Sequence, residues 1–246
     1  MFFAFNVRRL GGIALFVITI VPAVFILGVF LRKNPAVSGV FEVSFEIQDR
    51  VLVIDAGHGG EDGGATSPTG LIESGVNLDI AKRLESLAGF FGIKTAMTRE
   101  SETIKYPASA KTVRERKAFD QKSRIALINS FENAVLISIH QNKYTDPRSR
   151  GSQVFFSSTQ GSLDFAEITQ CRLAEALYPE NRRLATRISD SIFIMKRALC
   201  PAILVECAFL SNAQETALLQ TIAFKQKISM ALLASYLEFE RGEAAS

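Results

Sequence analysis

The sequence contains two histidines, and each follows a short apolar run that gives way to polar residues. The first stands in Val51-Leu52-Val53-Ile54-Asp55-Ala56-Gly57-His58-Gly59-Gly60. The second stands in Val135-Leu136-Ile137-Ser138-Ile139-His140-Gln141-Asn142. A third run, Pro201-Ala202-Ile203-Leu204-Val205, ends in Glu206-Cys207. A carboxylate after five apolar residues is expensive to desolvate unless it is paired or working. Glu73 is a fourth candidate. It lies between a glycine-rich loop and a helical pattern, where a carboxylate can equally well complement the helix dipole. One histidine beside glycines is more commonly a hydrogen-bonded structural residue; two at equivalent chain positions point to a site. Together, two imidazoles, one carboxylate and a further carboxylate suit a catalytic zinc centre. Such centres use three protein ligands and leave a fourth position for water, and a separate carboxylate moves the proton.

Two rival chemistries fit less well. The loop from Gly57 to Gly70 has six glycines, but it lacks the Lys-Ser/Thr ending of a Walker loop and the third glycine of the dinucleotide fingerprint. Its Glu61-Asp62 pair would also repel phosphate. A Cys207 nucleophile would find no spare histidine as its base once His58 and His140 are committed, so Cys207 reads as a packing residue.

The elements that must position these residues alternate in type. Arg50–Asp55 reads as a buried strand. Val76–Phe90 carries an apolar stripe at helical spacing, and Gly92 ends it. Ile93–Met97 reads as a second strand, Val113–Phe131 as a charged amphipathic helix and Ala134–Ile139 as a third strand. Gln153–Phe156 reads as a fourth. Helical patterns follow at 162–177 and 182–190. Ile192–Met195 reads as a short strand and Ala202–Val205 as a strong one. Gln214–Gln220 and Ala223–Phe239 read as closing helices. This alternation predicts an α/β domain with helices on both faces of a central, mostly parallel sheet. In such sheets, sites form beyond the carboxyl ends of the strands, where His58, His140 and Glu206 fall.

Composition bounds the rest. The 246 residues are 48% hydrophobic and 22% charged, which excludes a disordered chain. A net charge of +3 is too mild to imply nucleic-acid binding. Three cysteines exclude a disulfide framework. The apolar excess sits at the N-terminus, where Leu10 to Leu31 is a 22-residue stretch without charge, flanked by Arg8-Arg9 and Arg32-Lys33. As a helix of about 33 Å it would cross a hydrocarbon core of about 30 Å. The expected organisation is a membrane anchor or signal segment at 1–33, a linker at 34–49 and a catalytic domain at 50–240. The alternative is a cleaved signal and a secreted domain, with Ala36-Val37-Ser38 as a small-residue cleavage site.

The string Val53-Ile54-Asp55-Ala56-Gly57-His58-Gly59-Gly60-Glu61-Asp62-Gly63-Gly64-Ala65 resembles the opening motif of the zinc-dependent N-acetylmuramoyl-L-alanine amidases of bacterial cell walls. Three further motifs follow in that family's order: Ile72-Glu73 with Val76-Asn77-Leu78, Ser138-Ile139-His140-Gln141-Asn142, and Pro201 to Asn212. Met97-Thr98-Arg99 also fits the family's second strand. The resemblance implies one zinc ion per chain, with His58, Glu73 and His140 as ligands. It implies Glu206 as the catalytic carboxylate and Asn142 as a cleft residue in contact with substrate. It implies an α/β sandwich around a central sheet, and hydrolysis of the amide joining the muramic acid lactyl group to L-alanine in peptidoglycan. Ser74-Gly75 replaces a common Lys-Asp pair, and Ala208 a common glycine; neither falls on a ligand position.

Two other readings share part of this evidence. A zinc peptidase cutting within the stem peptide would use the same chemistry. A non-catalytic wall-binding module would not require Glu206. Peptidoglycan lies outside the cytoplasmic membrane, so Met1–Arg9 is expected inside, with the catalytic domain outside and anchored through residues 10–31. His140 and Glu206 are separated by 65 residues, which leaves no room for a long inhibitory helical insertion. Control is therefore expected from location, expression or a partner protein. The compact domain and its N-terminal segment also resemble the spore-germination branch of the family.

Overall fold

A computed structural model of the chain describes residues 50–244. The apolar segment 10–31 and the linker 34–49 lie outside the described residues. Among the described residues, no helix is long and apolar enough to cross a membrane.

The chain enters at Arg50 and forms β1 (Val51–Ala56), α1 (Glu73–Phe90), β2 (Thr95–Met97), α2 (Val113–Ile128) and β3 (Ala134–Asn142). It continues through β4 (Gln153–Phe156), α3 (Ser162–Leu177), β5 (Thr186–Arg187), α4 (Phe193–Arg197), β6 (Ala202–Phe209), α5 (Ala213–Leu219) and α6 (Ile222–Ala244). The strands form one six-stranded sheet in the order β2-β1-β3-β6-β4-β5.

The sheet is mixed. β1 pairs in parallel with β2 and β3, and β3 with β6, but β4 runs antiparallel to β6. β4 and β5 are parallel to each other, so four of the five described pairings are parallel and the sheet departs from the expected mostly parallel one at the β4–β6 pairing. The reason is the connection: only residues 143–152 join β3 to β4, fewer than the dozen or so that a parallel crossover needs.

Side-chain alternation along β1, β3 and β6 sorts residues onto two faces. Leu52 and Ile54, Val135, Ile137 and Ile139, and Ile203, Val205 and Cys207 share one core with Val76, Ile80 and Leu84 of α1, Phe165 of α3 and Ile228, Leu232 and Tyr236 of α6. Val53, Leu136 and Leu204 pack on the other face with Ile128 of α2 and Met195 of α4. With both faces covered, these strands read as near-continuous apolar runs.

Two expectations fail locally. Residues 182–190 form no helix; they carry the two-residue β5 beside β4, where Ile188 N donates to Phe156 O. Ile192–Met195 is not a strand, because the helix Phe193–Arg197 takes its place. A short apolar run does not distinguish the two states by itself, and here Ile194 and Met195 pack under the sheet.

Candidate metal centre

The alternation that builds the two cores also aims the site. Asp55 lies two residues beyond Val53, Ser138 and His140 beyond Leu136, and Glu206 beyond Leu204. All of them therefore face the α2 and α4 side at the carboxyl ends of their strands. His140 and Glu206 are register neighbours across β3 and β6. Cys207 points to the opposite core and is fully buried; burial pushes its thiol far above the usual range, so it is no nucleophile.

His58, Glu73 and His140 offer ligand atoms that all lie within 4.8 Å of one another. Glu73 Oε1 is 3.3 Å from His58 Nε2 and 3.1 Å from His140 Nδ1. The imidazole centroids are 5.0 Å apart with rings inclined at 77°. Glu73 opens α1 and is only 3% exposed. Its carboxylate accepts from Ala65 N at 2.8 Å, Gln141 N at 3.1 Å and Asn77 Nδ2 at 3.3 Å, which fixes both oxygens. Helix-dipole complementation alone would not have buried it this way.

Glycines let the backbone close around these donors. A Cβ on Gly57 would lie 2.3 Å from the His140 ring. Gly64, at φ +69°, would bring a Cβ within 2.5 Å of Glu73 Oε2 and 2.7 Å of the His58 ring. His58 itself has φ +60°, a left-handed conformation rare for a residue with a side chain. Two arginines hold that bend. Arg124 donates to Ala56 O at 2.7 Å and also to His58 O. Arg99 donates to Ala56 O at 2.8 Å, Gly57 O at 3.1 Å and Ser74 O at 2.8 Å. Arg124 is anchored in turn by Asp55 at 2.9 Å, and Asp55 accepts from Ser138 and Thr98. Burial works against the Asp55 carboxylate, but Arg124 and the two hydroxyls hold its pKa below the usual range.

Charge in the cluster follows the same logic. Burial disfavours a charged His58, yet hydrogen bonds to Asp62 and Glu73 outweigh it and raise its pKa to about 9 in the metal-free protein. Burial opposes ionisation of Glu73 too, but both histidines hold it far below its usual value. Glu206 is different. Burial pushes it up to about 7, and its Oε2 is buried with no hydrogen-bond partner. An orphaned carboxylate oxygen beside a compact two-imidazole, one-carboxylate donor set fits a metal and its water better than any closed protein network.

These groups border a cavity of about 320 Å³, lined on one side by Lys117, Gln121 and Arg124 and on the other by Ile192, Phe193 and Met195. His58, His140 and Glu206 reach it. Asn142, half-buried at the end of β3, is not part of that lining. The sequence alone gives no sign of Arg124 or Lys117, and it shows Asp55 and Arg99 only as members of motif strings, without a role. An arginine in a charged helix gives no sign of the carbonyls it will grip.

The layout is that of a hydrolase with a His-Glu-His ligand set and a separate buried carboxylate. Residues 52–236 match the family described as N-acetylmuramoyl-L-alanine amidase, and the chain belongs to that family. The germination-specific N-acetylmuramoyl-L-alanine amidase of Bacillus subtilis is 32% identical, over 81% of this chain and 84% of that protein. The amidase LytC of the same organism is 28% identical over 82% of this chain, which spans only 38% of LytC. Among solved structures, the CwlD amidase of Clostridioides difficile, in complex with the GerS lipoprotein, superposes with a TM-score of 0.75 at 29% identity. That match covers 78% of this chain and 98% of that one.

Proposed function

We propose that this amidase hydrolyses the amide between the lactyl group of N-acetylmuramic acid and L-alanine in peptidoglycan, with one zinc ion held by His58, Glu73 and His140. When bound, zinc would supply Lewis acidity for a water and for the scissile carbonyl. The chain's own groups do the rest. Glu206 takes the proton of the attacking water on its carboxylate and passes it to the departing alanine nitrogen. Gln141 and Asn77 hold Glu73 in place, and the apolar wall of Ile192, Phe193 and Met195 limits access of bulk water. The carrying observation is the orphaned Glu206 oxygen, register-paired with His140. Because Asn142 is not in the cavity lining, any contact from it would be to substrate extending beyond the cavity.

The test is mass spectrometry of purified peptidoglycan and defined muropeptides digested with the domain plus zinc. A free lactyl carboxyl and a new N-terminal alanine are expected, and chelation should abolish both. Products cut within the stem peptide, with the muramoyl–alanine bond intact, would establish the peptidase instead. Binding without turnover would establish the non-catalytic wall module.

The likeness to the germination-specific amidase and to CwlD supports a role on spore cortex peptidoglycan. The lipoprotein in the CwlD complex supports a protein partner for this chain as well. The uncharged stretch 10–31 supports anchoring in the cytoplasmic membrane with the catalytic domain outside. Protease treatment of spheroplasts should then release the domain; full protection would exclude that topology.

A further inference from the structure

His58 presents two ring nitrogens to two different carboxylates. Nε2 faces Glu73 Oε1, and Nδ1 lies 3.1 Å from Asp62 Oδ2. The Asp62 carboxylate therefore sits on the side of the ring away from the ligand cluster, too far round to join it, and the compact donor set omits Asp62. An ionised carboxylate only accepts hydrogen bonds, so the contact requires a proton on Nδ1 and makes Nε2 the nitrogen that a metal would take.

Asp62 is placed for this by the loop itself. Gly59 N donates to Asp62 O at 2.7 Å and Asp62 N to Gly59 O at 3.1 Å, closing a tight turn that swings the chain back over His58. Gly59 and Gly60 both have positive φ, as that turn requires. The two oxygens of Asp62 have separate tasks. Oδ1 accepts from Gly64 N at 3.3 Å, a local loop contact. Oδ2 faces His58 Nδ1 and is also held at 2.7 Å by Lys117 Nζ from α2. A carboxylate serving only the loop would not need this second, directed oxygen. The unusual backbone of His58 belongs to the same device. A left-handed non-glycine residue is strained and persists only where its surroundings over-determine it. Here Arg124 holds the His58 carbonyl and Asp62 holds its ring.

We propose that Asp62, steadied by Lys117, is the positioning residue that fixes the His58 ring and its Nδ1–H tautomer, and so sets the metal affinity of the centre. The proposal rests on the metal-site reading given above. Partners of this kind under ligating histidines typically change metal affinity by 10–100-fold.

The experiment measures zinc affinity by chelator competition in the full chain and in Asp62→Ala and Asp62→Asn. Unfolding of each metal-free protein and nitrogen-15 NMR of the His58 ring are recorded alongside. Asp62→Ala should bind zinc about 10–100-fold more weakly, and its neutral His58 should shift toward the Nε2–H tautomer. Asp62→Asn keeps a neutral acceptor at the same place and should fall between Ala and wild type. Unchanged zinc affinity in Asp62→Ala with an intact metal-free fold would overturn the proposal, as would an Asn variant weaker than Ala. Should Asp62→Ala not fold, the Asn variant decides alone: wild-type affinity with wild-type tautomer populations would sink the positioning role. A wild-type chain that binds no zinc would defeat the metal-site reading itself, which is a distinct result.

Discussion

Glu206 is the one charged side chain in a strand otherwise filled with apolar residues, and the fold leaves one of its oxygens without a partner. That is a poor arrangement for stability and a good one for proton transfer. Its pKa of about 7, raised by burial, lies near neutral pH, where a general base works best. Glu206→Gln should keep zinc bound and lower turnover by at least about 10²–10⁴-fold. Loss of zinc as complete as in His58→Ala would instead make Glu206 a ligand. The same change should stabilise the metal-free protein. The penalty of the buried carboxylate is absent below the ordinary pKa of 4.5 and complete above about 7. Glu206→Gln should therefore raise metal-free stability by about 1–3 kcal/mol at pH 8 and by nothing near pH 4, measured by thermal unfolding in chelator. His58 carries the opposite sign. With its pKa raised to about 9, its proton favours the metal-free fold below the ordinary value of 6.5, and that contribution is lost as pH rises through 9. Zinc must displace this proton. Apparent zinc affinity should tighten by about tenfold per pH unit from 7 to 9 and then level off. A flat profile over that range would mean that His58 is neutral before zinc arrives.

At the scale of elements, the site depends on where β1, β3 and β6 end and on how α2 grips the turn after β1. Arg124 is 2% exposed and Asp55 is fully buried. Removing one partner leaves the other charge stranded, so Arg124→Met should cost about 3–5 kcal/mol in urea unfolding. A cost under 1 kcal/mol would mean that the hydroxyls of Ser138 and Thr98 suffice for Asp55. Gly57→Ala should be tolerated less by the metal than by the fold, since the new methyl would press on the His140 ring. Zinc content per chain beside the unfolding midpoint separates the two effects. Much of this layer was readable beforehand. The apolar strings before His58, His140 and Glu206 marked their strands, and the stripe from Val76 marked α1, although the helix begins at Glu73. Of the four residues singled out on position and type, His58, Glu73 and His140 bring donor atoms within 4.8 Å of one another and Glu206 is the register neighbour of His140. Asn142, named only from the family resemblance, lies outside the cavity lining. What could not be read was long-range or too short to carry a period. Asp55 and Arg124 are 69 positions apart, and no local pattern couples them. The quartet Ile192–Met195 is compatible with strand or helix until the sheet above it is known. The antiparallel course of β4 depended on the ten-residue return from β3, not on the composition of β4.

At the scale of the whole catalytic domain, the direction of β1 sets how far the site lies from the chain's entry. The chain enters β1 at its amino end, and His58, His140 and Glu206 lie toward or beyond the carboxyl ends of β1, β3 and β6. Six residues of β1 at about 3.3 Å each set roughly 20 Å between Arg50 and the site. Under the proposed anchoring, the linker 34–49 adds at most about 55 Å when fully extended. The reach of the site into the wall is then bounded by the length of that linker. Removing eight linker residues would lower that upper bound by about 28 Å. Digestion of soluble muropeptides should not change, while digestion of intact wall in cells should fall and should recover when a neutral linker of the original length is restored. Equal wall digestion at both lengths would mean that the linker does not limit the reach of the domain.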